Sequence, residues 1–177
     1  AYQRDKTNNL APPELKAIHP LGKSPVLEDD GVVITESGAI SEHLTEKYGN
    51  GKLMPPRDSQ AFIAYRQWMH FAEGSAMLPA LLLLFIRVDG AKMNFLPAYA
   101  QAEMHKILTY LNDSVGQTGY LVGDALTAAD ILNSFLLENV YNSSGLDNYP
   151  ELKAYIEKLM TLPNAIKAQE LEEKYSS

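Results

Sequence analysis

Cysteine is absent from these 177 residues, which excludes disulfide staples, thiolate metal ligands and a cysteine nucleophile within them. The absence is compatible with a reducing cytosol. Basic residues are scarce: 15 Lys and Arg face 22 Asp and Glu, a formal net charge of -7. No basic patch or stripe offsets that balance, which argues against a nucleic-acid surface. Long apolar runs are missing too. The longest, Ala76 to Ile86, is broken by Pro79 and is about half the ~20 residues that span a bilayer. It reads as a buried helix segment, and no membrane anchor is visible. The opening Tyr2-Gln3-Arg4-Asp5-Lys6 is polar, unlike the apolar core of a signal peptide. His19, His43, His70 and His105 lack the i, i+4 pairing of a zinc site. Ser37 sits in Glu-Ser-Gly-Ala rather than Gly-x-Ser-x-Gly, so a hydrolase nucleophile elbow is excluded. Glu28-Asp29-Asp30-Gly31 is too short for an EF-hand loop.

What is present concentrates between Ile18 and Tyr48. His19-Pro20 and Ser24-Pro25 punctuate a loop, Val26-Leu27 and Val32 to Ile34 read as two short strands, and Asp30-Gly31 is a hairpin turn between them. A helix then follows, with Ile40 and Leu44 four apart and Gly49 as its stop. Glu36-Ser37 therefore lies at a helix N-terminus. The first amides of a helix lack intrahelical acceptors and the macrodipole adds partial positive charge, so a carboxylate docked there gains about 0.3–1 kcal/mol. Ser37 is a hydroxyl donor to the same anion, and Glu36 an acceptor for an ammonium. The pair suits an amino-acid zwitterion better than a phosphate, which Glu36 would repel. The plainer alternative is that Thr35 or Ser37 only caps the helix.

From Lys52 the pattern changes. Leu53-Met54-Pro55-Pro56-Arg57-Asp58 reads as a linker, leaving Asp58 or Ser59 to cap the next helix. Helical faces follow at Phe62, Tyr65, Met69 and Ala72; at Met104, Ile107, Leu108 and Leu111; at Ile131, Leu132 and Phe135; and at Leu152, Tyr155, Ile156 and Leu159. A last polar helix after Pro163 carries Ile166 and Leu171. Thr127 and Asp130, flanked by Leu126 and Ile131, form a capping box with a hydrophobic staple. Its role is folding rather than acid catalysis. With 46% hydrophobic residues the chain has material for a sizeable core in one or two small domains.

The segment from Pro13 to Leu44, PELKAIHPLGKSPVLEDDGVVITESGAISEHL, resembles the second half of the glutathione-binding, thioredoxin-like domain of the glutathione S-transferase family. Ser24-Pro25-Val26 and Glu36-Ser37 match in residue and spacing, and the Thr127 box resembles that of the helix at the centre of the family's C-terminal domain. The resemblance implies an α/β + all-α fold: a partial thioredoxin-like domain over 1–51, a linker over 52–58 and an all-α helical bundle over 59–177. It implies a glutathione site of Lys23, Ser24, Pro25, Val26, Glu36 and Ser37, with a cis bond before Pro25 and the Val26 backbone pairing with the cysteinyl part of the ligand. Tyr65, His70 and Glu73 are then expected at the electrophile pocket, although an apolar helix facing a core predicts similar residues. Further implications are a cytoplasmic homodimer, no metal, and conjugation of the glutathione thiol to small electrophiles. The family's thiol-activating Tyr, Ser or Cys lies in a strand-helix-strand unit expected ahead of Ala1. Tyr2 matches by type, but its position corresponds to the second strand, so no catalytic residue is assigned. Two alternatives share the resemblance: a non-catalytic binding or assembly module, as in translation factors, and a glutathione-dependent peroxidase or reductase.

Overall fold

Pro13, with its φ preset and no amide to satisfy, opens helix α1 (Pro13–Ile18). The computed structural model describes residues 11–89 and 95–176. A loop leads from α1 to strands β1 (Val26–Asp29) and β2 (Val32–Thr35), paired antiparallel with Val26 opposite Thr35 and Asp29 opposite Val32. Asp30 and Gly31 both have left-handed φ, 50° and 78°, the pair of conformations that matches the twist of a tight hairpin. Helix α2 (Ser37–Tyr48) follows directly.

Asp29 ties the hairpin to α2. Its carboxylate accepts from Lys47 Nζ at 2.5 Å and Tyr48 Oη at 2.6 Å, and His43 Nε2 lies 2.6 Å away. Lys47 also reaches Asp30 at 2.6 Å. Lys47 first, then Tyr48 and His43, hold the Asp29 carboxyl far below its ordinary value of 3.8.

The rest is helical. Ser59 caps α3 (Gln60–Phe71), accepting from Phe62 N at 3.3 Å. A π-helical turn at Ala72–Ala76 leads into α4 (Met77–Asp89). Then come α5 (Leu96–Thr118), α6 (Ala128–Asn142), α7 (Pro150–Met160) and α8 (Pro163–Ser176). The core gathers Tyr65 and Trp68 of α3, Leu108 and Leu111 of α5, Leu137 of α6 and Ile156 of α7.

At the centre stands the capping box. Asp130 is fully buried. Its Oδ2 accepts from Thr127 N at 2.7 Å and Thr127 Oγ1 at 2.8 Å, and its Oδ1 accepts from Leu121 N at 2.9 Å and Tyr155 Oη at 2.8 Å. Burial first, and then the Asp130 charge, push the Tyr155 phenol upward.

Two readings of the sequence are corrected here. The face of α6 given by Ile131, Leu132 and Phe135 is not the core face: Ile131 is 49% and Phe135 63% exposed, while Ala129, Asp130, Asn133 and Leu137 point inward. Asn133 donates to Trp68 O at 3.1 Å, so polar residues with specific partners occupy the positions that periodicity gave to apolar ones. The Ala76 to Ile86 stretch is likewise not uniformly buried. Leu78, Leu81, Leu84 and Phe85 are exposed, an apolar face that no element among the described residues covers. The run Gln60–Val88 is, by length and composition alone, apolar enough to cross a membrane, yet α3 packs on α6 and α4 on α5.

Asp130→Ala should destabilise the fold by at least about 3 kcal/mol, because Leu121 N, Thr127 N and Tyr155 Oη lose their acceptor and each unpaired buried group costs about 1–3 kcal/mol. Tyr155→Phe should cost about 1.5–3 kcal/mol, the loss of one bond to a charged acceptor. Urea unfolding monitored at Trp68, the single tryptophan, measures both. For Asp29, folding lowers the pKa, so the native state holds this proton less firmly than the unfolded chain. The tie therefore contributes fully above the ordinary 3.8 and is lost as pH falls toward the folded value. Melting curves of the parent and Asp29→Asn should differ near neutrality and converge in strong acid; a gap independent of pH would refute the charge-based tie.

Candidate functional site

The first turn of α2 leaves its leading amides without intrahelical acceptors. Glu36, at φ 69°, precedes the helix, and its carbonyl accepts from Ile40 N at 2.9 Å. No side chain caps the helix, so the alternative in which Thr35 or Ser37 serves as its cap does not hold. Ser37 is instead the first helical residue. Its hydroxyl donates to Glu73 Oε1 at 2.9 Å, across 36 positions of sequence. The π-helical turn after α3 carries Glu73, and such turns add a residue that re-aims the side chains around it.

The loop after α1 forms the other wall, and its Ser24-Pro25 peptide bond is cis. Together these segments enclose an open trough of about 170 Å³ lined by His19, Leu21, Lys23, Ser24, Pro25, Thr35, Glu36, Ser37 and Glu73. The lining holds one ammonium, one imidazole, two carboxylates and three hydroxyls. That donor set matches a ligand carrying both an ammonium and carboxylates.

Five of the six residues expected at a glutathione site, Lys23, Ser24, Pro25, Glu36 and Ser37, thus share one trough. Val26 does not line it; it stands next to Pro25 in β1, paired with Thr35. His19, Leu21 and Thr35 were missed; Thr35 adjoins Glu36 in sequence, while Leu21 and His19 precede Lys23 in the loop after α1. Glu73 had no local signal for this place, since only the packing of the π-helical turn brings it to Ser37.

The electrophile-pocket expectation is corrected for Tyr65. It is 0% exposed and belongs to the core. Burial first, then the charges of Glu42 and Glu46, push its phenol up to about 12. Its hydroxyl has no hydrogen-bond partner among the described residues. His70 is exposed and does not line the trough, while Glu73 sits beside Ser37 on the side expected for glutathione. Tyr2 lies outside the described residues. Among the described residues no group of His, Asp and Glu has the arrangement of a metal site. A larger groove of about 750 Å³ runs between α6, the end of α7 and α8, and it contains neither motif.

Comparison with known proteins points to one family. Residues 4–52 match the family model "Glutathione S-transferase, N-terminal domain" and residues 83–168 match "Glutathione S-transferase, C-terminal domain". Glutathione S-transferase 3 of Schizosaccharomyces pombe is 34% identical over 143 residues, covering 71% of this chain and 57% of that protein. A probable elongation factor 1-gamma of Arabidopsis thaliana is 28% identical over 94% of this chain and 41% of that protein. The crystal structure of a glutathione S-transferase from Actinobacillus pleuropneumoniae superposes with a TM-score of 0.84 at 30% identity, over 99% of this chain and 80% of that one. The chain belongs to the glutathione S-transferase family. It has the glutathione S-transferase fold, with a short two-stranded sheet among the described residues and a helical C-terminal domain. It spans a little over half the length of the fission-yeast transferase.

Tyr65→Phe should leave the fold unchanged or stabilise it by up to about 1 kcal/mol, since it removes a buried hydroxyl that lacks a partner. Glu73→Gln, at an exposed site, should stay within about 0.5 kcal/mol of the parent. Thermal and urea unfolding check both; a loss above about 1 kcal/mol for Tyr65→Phe would show that an ordered water satisfies the hydroxyl.

Proposed function

We propose that this chain binds glutathione in the trough and serves a glutathione transferase that joins the glutathione thiol to small electrophiles. The observation that carries the reading is the convergence of Glu36 and Ser37, at the uncapped N-terminus of α2, with Lys23 and the Ser24-Pro25 turn in one cavity. The γ-glutamyl carboxylate takes the α2 amides and the Ser37 hydroxyl, and Glu36 accepts from the ammonium. The cysteinyl backbone pairs with Val26 along β1, as an added strand does. Lys23 attracts the remaining carboxylate, an interaction that salt weakens.

In conjugation the thiolate forms a new carbon–sulfur bond while the electrophile loses its leaving group or accepts the electron pair. A hydrogen bond to the sulfur favours the thiolate and so raises the fraction of nucleophile at neutral pH. No residue of this chain is assigned to that task. The reading includes a cytoplasmic homodimer, supported by the exposed apolar face of Leu78, Leu81, Leu84 and Phe85 on α4. A second reading, a non-catalytic module, draws on the similarity to a probable elongation factor 1-gamma. The Ser37–Glu73 bond favours it to one degree, since the site's hydroxyl already has an internal acceptor.

Retention on immobilised glutathione and titration calorimetry test the binding. Ser37→Ala should weaken glutathione by about 1.5–3 kcal/mol, the range for a hydrogen bond to a charged group. Failure of the parent chain to bind would remove the transferase reading in favour of the module. Unchanged affinity in Ser37→Ala would remove the hydroxyl from the site.

A further inference from the structure

Asn50-Gly51 is the one Asn-Gly pair in the sequence, and it sits where α2 hands over to the helical domain. The α2 helix closes with Gly49 N on Thr45 O at 3.0 Å, and the chain then turns back with Lys52 N on Gly49 O at 2.9 Å. Asn50 and Gly51 occupy the corner with φ 49° and 76°, and both are exposed. Space is open at Gly51, where a Cβ would meet nothing within 4 Å. Lacking that Cβ, the Gly51 backbone is free to rotate its amide toward the neighbouring side chain. Two residues on, Leu53 O accepts from Ala128 N at 2.8 Å, satisfying one of the first amides of α6.

We infer that Asn50 is a self-modification site, converting to aspartyl and isoaspartyl products that loosen the turn feeding the Leu53–Ala128 contact. The Gly51 amide nitrogen, losing its proton to base, attacks the Asn50 carboxamide carbon. The C–NH2 bond breaks, ammonia leaves, and a five-membered succinimide remains. Water then opens either ring carbonyl. One opening yields an ordinary aspartate in place of the asparagine. The other yields isoaspartate, in which the backbone runs through the side-chain carbon and gains a methylene. The balance is loss of NH3 and gain of H2O, with no oxidant or cofactor.

Asp30-Gly31 offers an internal contrast. It has the same pair of left-handed φ values, but its carboxylate is held by Lys47 at 2.6 Å. An ionised carboxylate lacks the neutral leaving group of an amide, so the hairpin resists the reaction that the α2 turn admits. The Asn50 carboxamide, by comparison, makes no hydrogen bond among the described residues. The product charge also lands just past the C-terminus of α2, where the macrodipole is negative and a cation would be favoured. Reversion has no driving force, since the ammonia is lost to solvent.

The experiment ages the purified chain at mildly alkaline pH and maps it by tryptic mass spectrometry. Cleavage after Lys47 and Lys52 releases Tyr48 to Lys52 as one peptide. That peptide should gain about 1 Da, with the isoaspartyl part accepting methyl groups from isoaspartyl methyltransferase. Its rate should exceed that of the exposed Asn142-Ser143 pair by at least roughly tenfold, because only Gly51 lacks a Cβ. Asn50→Gln, whose longer side chain disfavours the five-membered ring, should abolish the gain. Amide exchange at Ala128 should quicken in the aged parent and stay constant in Asn50→Gln. A rate at Asn50 no higher than at Asn142 overturns the site; unchanged Ala128 exchange in fully converted protein overturns its effect on the domain contact.

Discussion

Asp130 is the group on which the rest of the structure depends. A buried carboxylate is tolerable only when its oxygens are saturated with donors, and this one draws four bonds from three separate parts of the chain. Thr127 fixes the start of α6, Leu121 fixes the segment after α5, and Tyr155 brings α7 onto the same point. Ala128, the first residue of α6, then takes the carbonyl of Leu53. The segment between α2 and α3 is thereby fastened to the helix that Asp130 initiates.

The trough inherits its geometry from that arrangement. α3 packs on α6, with Asn133 reaching Trp68 O, and the π-helical turn that ends α3 presents Glu73 to Ser37. From the other side, Asp29 fastens the hairpin to α2 through Lys47, Tyr48 and His43. Helix α2 is therefore held at both ends, at its start by the Ser37–Glu73 hydrogen bond and toward its end by the Asp29 cluster of His43, Lys47 and Tyr48. The trough is lined from both sides, by Ser24, Pro25, Glu36 and Ser37 of the first part of the chain and by Glu73 of the π-helical turn after α3.

Much of this was legible in order along the chain. Asp30-Gly31 announced the hairpin, Asp58 or Ser59 the start of α3, and Thr127 with Asp130 the start of α6. Lys23, Ser24, Pro25, Glu36 and Ser37 could be gathered because their spacing matches a known family. Each of these signals acts over a few residues, where backbone conformation and local hydrogen bonds decide the outcome. The misreadings share the opposite character. Ile131 and Phe135 look like a core stripe, yet Asp130 and Asn133 turn inward because their partners lie on other elements. Tyr65 looks like a pocket residue by position, yet its place between α2 and the core depends on how two helices meet.

By itself the sequence determined the hairpin turn, the capping box that starts α6, the absence of cysteine chemistry within these residues, and the helix end at which an anion is favoured. Those follow from short-range sterics, dipoles and hydrogen bonds that any fold must respect. Only the tertiary structure decided which face of α6 is buried, that Glu73 rather than Tyr65 reaches the trough, and that Leu53 is tied to Ala128. Those depend on pairing across tens of residues, where burial and the saturation of polar groups outweigh the periodic pattern of any single segment.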